Sequence, residues 1–180
     1  MKTLPDLLAT HLSVLSIGLN PSLLSVEAGF YFANPRNRFW KALNNCGYIP
    51  KPLEPSLDSC YQLLNQYNIG FTDLVKRPTA GCKDLNATDY REGSSRLDNL
   101  LNQLSPRIIW FHGKLTCKKY IQYSPDNKRI VNWGRQPWAL NNAAVYVTPN
   151  PSPANAAYSL NVISDSYHQL FQSLQEPTTC

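Results

Sequence analysis

The sequence predicts an α/β protein, a three-layer α/β/α sandwich around a mostly parallel central sheet, and three observations predict it. Runs at residues 12–19 (LSVLSIGL), 107–111 (RIIWF) and 143–148 (AAVYVT) are apolar or small instead of strictly alternating, as parallel strands covered on both faces should be. Segments with apolar residues at three- and four-residue spacing lie between them, so strands and helices alternate. The 180 residues, 43% hydrophobic, suffice for one sizeable core, which makes residues 1–180 a single domain with 175–180 as a flexible tail.

Taken in order, the first strand stops at the breaker Asn20-Pro21-Ser22. Phe30, Tyr31 and Phe32 are dense enough for a core, but Gly29 before them and Asn34-Pro35 after them predict a loop, with Arg36 and Arg38 beside it. Helical faces follow at Phe39, Leu43 and Cys46, then at Leu57, Cys60, Tyr61 and Leu64. A short strand leads into Phe71-Thr72-Asp73. Leu97, Leu100, Leu101 and Leu104 mark the helix before RIIWF, and Leu160, Ile163, Tyr167, Leu170, Phe171 and Leu174 mark the last one. Residues 123–138 (YSPDNKRIVNWGRQPW) read as a long basic surface connection. It is either a solvated loop or a phosphate-contacting arm through Lys128, Arg129 or Arg135.

Seventeen Lys and Arg against twelve Asp and Glu leave a net charge of +5, which suits a polyanionic partner as well as it suits a plain basic protein. Pro5, Asp6 and His11 interrupt the N-terminal segment where a secretory signal needs an unbroken apolar core, and no run approaches membrane-spanning length. Five cysteines without a C-x-x-C pair fit a reducing cytoplasm better than a disulfide framework. With three scattered histidines they do not resemble a metal site, so neither metal nor cofactor is expected.

In open parallel sheets, ligands bind beyond the carboxyl ends of the strands. Four strand exits therefore converge on one rim: Gly18 to Ser22, Phe71-Thr72-Asp73, His112-Gly113-Lys114, and Pro149 to Pro153. Each Asn-Pro-Ser triplet alone is commonly a turn, but two at matching exits give rigid amides that can hold a water or read a polar ring edge. Asp73 is either a helix cap or partner of Lys76 or Arg77, or a carboxylate that activates water or stabilises a cationic sugar. The aromatic loop could stack a planar base while its arginines meet phosphates.

Taken together, "GLNPS", "GFYFANPRNRFWKAL", "GFTDLVKRPT", "FHGK", "NWGRQ" and "PNPSPANAAYSL" resemble the mismatch-specific uracil/thymine-DNA glycosylase family of the uracil-DNA glycosylase superfamily, in that family's order and spacing. The resemblance implies a monofunctional DNA repair enzyme that flips a base out of the helix and hydrolyses its N-glycosidic bond, usually uracil opposite guanine, leaving an abasic site. It implies that Asn20 orients the attacking water and that Phe32 stacks on the base. Backbone amides around Phe30, Tyr31 and Phe32 would read the base's carbonyl edge, with Gly18, Leu19 and Asn150 completing the base-binding set. Pro151, Ser152, Pro153, Ala154 and Asn155 would enter the DNA, with Lys114 and Arg38 as further DNA contacts.

Three positions depart from the family pattern: Ser22 where many members have glycine, Ala156 where several have arginine, and Asp73 where members vary among lysine, asparagine and aspartate. The expected partner is DNA, double-stranded with uracil or a mismatch and with single strands as a further context. The chain is expected to act as a monomer in a bacterial-type cytoplasm, on the nucleoid when acting. A glycosylase for hypoxanthine or xanthine and a non-catalytic nucleic-acid-binding module remain the alternative readings. No G-x-G-x-x-G or Walker fingerprint supports a nucleotide-dependent enzyme. For a Schiff-base lyase, only Lys114 is near a strand exit.

Overall fold

A computed structural model describes residues 2–124 and 127–175; the expected tail beyond residue 175 lies outside them. The sheet has five strands: β1 (Val14–Gly18), β2 (Ile69–Asp73), β3 (Ile108–His112), β4 (Gly134–Leu140) and β5 (Ala143–Thr148), in the order β2-β1-β3-β5-β4. All neighbouring pairs are parallel except β4 with β5. Six α-helices among the described residues connect and cover them, with a short 3-10 turn at Cys82–Asp84: α1 (Leu23–Ala28), α2 (Phe39–Asn45), α3 (Leu57–Tyr67), α4 (Ala87–Leu104), α5 (Lys114–Tyr123) and α6 (Leu160–Gln172).

Alternation along β3, which starts one residue later than the RIIWF reading because Arg107 is exposed, shows why residues 108–111 had to be apolar. Trp110 points to one face, against Phe39 of α2 and Tyr167 and Phe171 of α6. Phe111 points to the other, against Tyr120 of α5. All five residues of β3 are buried, so both faces need hydrophobic side chains and the two helix layers follow.

The helices start and stop where local chemistry says they should. Ser22, Ser56 and Ser159 cap α1, α3 and α6 with their hydroxyls, and Asn86 forms a reciprocal capping box with Asp89 on α4. Gly29, at φ +78°, ends α1 in the left-handed region that glycine enters most readily. Among the described residues no helix is long and apolar enough to cross a membrane.

One expectation needs correction. The segment at 123–138 is not wholly a surface connection, because its last five residues begin β4. The residue β4 buries deepest is the polar Gln136, and Pro137 interrupts the strand, so neither its hydrophobicity nor its composition marks it. The β4–β5 pairing shifts register between Arg135 and Ala139. The residues after β3 continue into α5, a helix not named from the sequence, which buries Cys117, Tyr120 and Ile121 on one short face together with Thr116. At the opposite edge, β2 pairs with the N-terminal segment through Leu7 N to Phe71 O (2.9 Å) and Phe71 N to Leu7 O (2.8 Å).

Candidate active site

The carboxyl ends of β1, β2, β3 and β5 open into one cavity of about 850 Å³, centred where the order turns outward on either side of β1, the usual ligand position in such sheets. Gly18 and Asp73 are register partners at the ends of β1 and β2. The two chains stay zipped together past the strands through Leu74 N to Gly18 O and Val75 N to Leu19 O, both 2.9 Å.

That zipping fixes Asn20. Its side chain faces Arg77 O at 3.1 Å and Thr79 Oγ1 at 2.8 Å. A main-chain carbonyl only accepts, so the atom facing it is Nδ2. Oδ1 is then the acceptor left to the cavity that Asn20 lines.

Asp73 is 4% exposed, and its Oδ2 has no hydrogen-bond partner among the described residues. Its carboxylate lies over the backbone of Gly18, where a Cβ would overlap Oδ1. Burial raises its pKa to about 7; Lys76 and Arg96 pull it down and Asp6 pushes it up, but desolvation dominates. The neighbouring cations are committed elsewhere. Lys76 and Arg96 both pair with Asp6, at 2.6 and 3.0 Å, and Arg77 pairs with Asp89 at 2.6 Å. Asp73 is therefore neither a helix cap nor an ion-pair partner of Lys76 or Arg77.

Phe32 is a non-glycine residue at φ +58°, an uncommon conformation for an aromatic side chain. Phe39 covers one face of its ring at 4.0 Å and 12°, and Phe32 lines the cavity. Tyr31 also lines it, with its hydroxyl donating to Pro5 O at 3.1 Å and held protonated far above its ordinary range by burial and by Asp73. Phe30 packs part-buried against the core, outside the cavity lining.

The segment after β5 is shaped by Arg38. Its guanidinium donates to Pro151 O, Ser152 O (3.0 Å), Asn155 O (2.7 Å) and Tyr158 O. Asn150 turns its own chain by accepting from Ser152 N at 2.9 Å, and Asn155 Nδ2 ties back to Asn150 O at 2.9 Å. Asn150, Ser152, Pro153, Ala154 and Asn155 line the cavity, while Pro151 and Arg38 stand behind it. Lys114 lines it from the first residue of α5, with Gly113 as a cap that lacks a side-chain acceptor.

Among the lining residues to which sequence reasoning gave no role are His112, Trp133 and Tyr158. His112 ends β3, 1% exposed, with Nε2 at 2.8 Å from Ser16 Oγ and Nδ1 unpartnered among the described residues. Burial lowers its pKa to about 3, so it presents a neutral polar edge. The strand-exit rule reached this position but could not distinguish it from a satisfied core histidine. Trp133 and Tyr158 lay in "NWGRQ" and "PNPSPANAAYSL" without a chemical signal of their own.

The arrangement thus holds an anchored amide and a buried titrating carboxyl beside a stacked ring, under a rim that carries Lys114 and Arg36. No three His, Cys, Asp or Glu residues among the described residues are grouped to hold a metal ion. The family model for the Uracil DNA glycosylase superfamily matches residues 5–175. The chain belongs to that superfamily. Membership supports a DNA glycosylase activity and DNA as the partner. A solution NMR structure of a Methanosarcina acetivorans protein, provisionally described as a uracil DNA glycosylase, superposes with a TM-score of 0.64 at 22% identity, over 97% of this chain and 98% of that one. At that identity the likeness concerns the fold.

Proposed function

We propose that this superfamily member is a monofunctional uracil-DNA glycosylase that flips uracil out of mismatched and other contexts and hydrolyses its bond to deoxyribose without a metal or cofactor. The observation that carries the reading is the buried Asp73 carboxylate, unpartnered at Oδ2 and set over Gly18 in the same cavity as the anchored Asn20. A structural carboxylate would be expected to use its nearby cations, and this one does not.

In the reaction the C1′–N1 bond breaks with its electron pair leaving on the uracil ring, and the sugar becomes cationic. Asn20 Oδ1 accepts one hydrogen of a water and aims its oxygen at C1′. Ionised Asp73 accepts the other proton as the new C1′–O bond forms, and its charge favours the cationic sugar. His112 stays neutral nearby, so the inner wall adds no positive charge to oppose that step. Phe32 stacks on the captured base, and the main-chain amides of Tyr31 and Phe32, which line the cavity, meet its carbonyl edge. Residues 151–155, held by Arg38, enter the space left in the helix. The wide use of Asp73 predicts release of uracil opposite guanine, opposite adenine and in single strands.

The test is base release by purified protein from oligonucleotides carrying each of those uracils, thymine opposite guanine, or hypoxanthine. Release confined to mismatched uracil would leave Asp73 without its proposed role. No release from any substrate would remove the enzyme reading, and release of hypoxanthine alone would move it to the other deaminated bases.

Two variants probe the binding parts. Phe32→Ala is expected to weaken capture of a uracil-containing duplex by about 1–3 kcal/mol, the cost of losing one base–aromatic stack; an unchanged dissociation constant with an intact fold would remove Phe32 from the pocket. Arg38→Ala is expected to reduce hydrogen-exchange protection across 150–158 and to weaken DNA binding while leaving the salt slope unchanged. A slope that falls by about one would instead mean that Arg38 meets a phosphate.

A further inference from the structure

The cavity is larger than one flipped base needs. Its volume of about 850 Å³ lies in the upper part of the range that takes whole drug-sized ligands, whereas Asn20, Asp73 and Phe32 concern one pyrimidine and its sugar. The outer part has its own chemistry. Trp133, Tyr158 and Lys114 all line it. The Trp133 and Tyr158 rings meet edge-to-face at 5.3 Å and 69°, and Lys114 Nζ lies 4.8 Å from the centre of the Trp133 ring.

Trp133 is 40% exposed, while Trp40 and Trp110 are buried at 2% and 0%. Its exposure does not come from a loose loop. Gln136, 5% exposed, spans the turn that carries it: Oε1 accepts from Asn132 N at 2.9 Å, and Nε2 donates to Asn132 O at 2.9 Å and Gly134 O at 2.8 Å. Gly134 at φ +76° completes the turn. Tyr158 is fixed as well, because its carbonyl is one of those held by Arg38. Two rings are thus presented to the cavity mouth on braced backbone, with a cation beside them.

Such a set matches a nucleotide: flat faces for a base and an ammonium for the adjoining phosphate. With Tyr158 tilted against it and Lys114 over its ring, Trp133 still keeps 40% of its surface open to a partner. Lys114 is half-buried, and an ammonium over an aromatic ring, worth about 0.5–2 kcal/mol, can be exchanged for a charge-assisted contact to a phosphate. We propose that Trp133, Tyr158 and Lys114 form a second nucleotide subsite at the cavity mouth, which stacks the base of an unpaired nucleotide adjoining the one delivered to Asn20 and Asp73. The proposal rests on the glycosylase reading for what occupies the inner part, and it makes unpaired neighbours a determinant of substrate choice. In a fully paired duplex the neighbouring base stays in its own stack and gains nothing from Trp133.

The test uses an end-labelled, uracil-free thymine octamer and, separately, a uracil-free paired duplex, with binding followed by fluorescence anisotropy. Trp133→Ala is expected to bind the single strand about tenfold more weakly than wild type, within the range for loss of one stack, and the duplex within about twofold. Trp133→Phe, which keeps a flat face, is expected to recover most of the single-strand loss. Lys114→Ala is expected to lower the salt slope by about one, and Trp133→Ala to leave it unchanged. Single-strand binding by Trp133→Ala within about twofold of wild type would overturn the subsite, as would an equal loss on the paired duplex. Because neither probe contains uracil, the result is separate from base release by the wild-type protein. A glycosylase that ignores Trp133 sinks the subsite alone, and a protein that needs Trp133 but releases no base sinks the glycosylase alone.

Discussion

Asp73→Asn is expected to lower the single-turnover rate of uracil release by about 10²–10⁴-fold, the usual worth of a positioned general base, and to abolish its pH dependence near neutrality. The wild-type carboxyl has a pKa of about 7 because burial opposes its charge, so the rate should rise with pH through about 7 and level off above it. The amide cannot ionise, and the variant's profile should be flat there. A variant that keeps the wild-type rate and inflection would remove Asp73 from the chemistry.

Stability supplies an independent readout with a definite sign. The folded pKa of Asp73 is raised above its unfolded value of about 4. The group's contribution to stability is therefore complete below about pH 4 and is lost as pH rises through about 7. Between pH 5 and 8 wild type should lose, relative to Asp73→Asn, on the order of 2 kcal/mol, or about 5 °C in Tm. Thermal melts at the two pH values measure the change in the gap, whatever the amide itself costs at its new position. A gap independent of pH would show that the carboxyl titrates normally.

Asn20→Ala is expected to have the second large effect, with a different signature. Removing the acceptor that aims the water should reduce release about 10²–10³-fold, comparable to losing one preorganised polar contact at a reacting centre. The inflection near pH 7 should persist, because Asp73 remains. The change also leaves Arg77 O and Thr79 Oγ1 without the Asn20 amide, so Tm should fall by a few degrees, as for loss of about 1 kcal/mol of hydrogen bonding. Measuring rate against pH separates the two residues: one variant loses amplitude and keeps the curve, while the other loses the curve.

What could be read from the sequence divides along physical lines. β1, β3 and β5 are buried on both faces, which favours the mainly apolar runs seen there, so their existence was visible. The placement of Asn20, Asp73 and Asn150 on one rim followed from strand direction alone. β4 was hidden because an edge strand with Pro137 and one deeply buried glutamine has no hydrophobic period. Arg38 was read as a contact to DNA because an arginine beside aromatics advertises charge, whereas the carbonyls that surround it belong to residues more than a hundred positions later. Trp133 could be recognised as exposed only once Gln136 was seen beneath its turn.

The two borders of the sheet have a consequence beyond the site they support. A bare outer strand offers its unused amides and carbonyls to any other chain and invites runaway sheet growth. Here Leu7 occupies the outer side of β2 at Phe71, and Pro137 and the irregular pairing of β4 break the opposite border. Neither side is a continuous template, so sheet-to-sheet polymerisation is blocked at both ends while the cavity, which opens across the strand tips, stays clear of these guards.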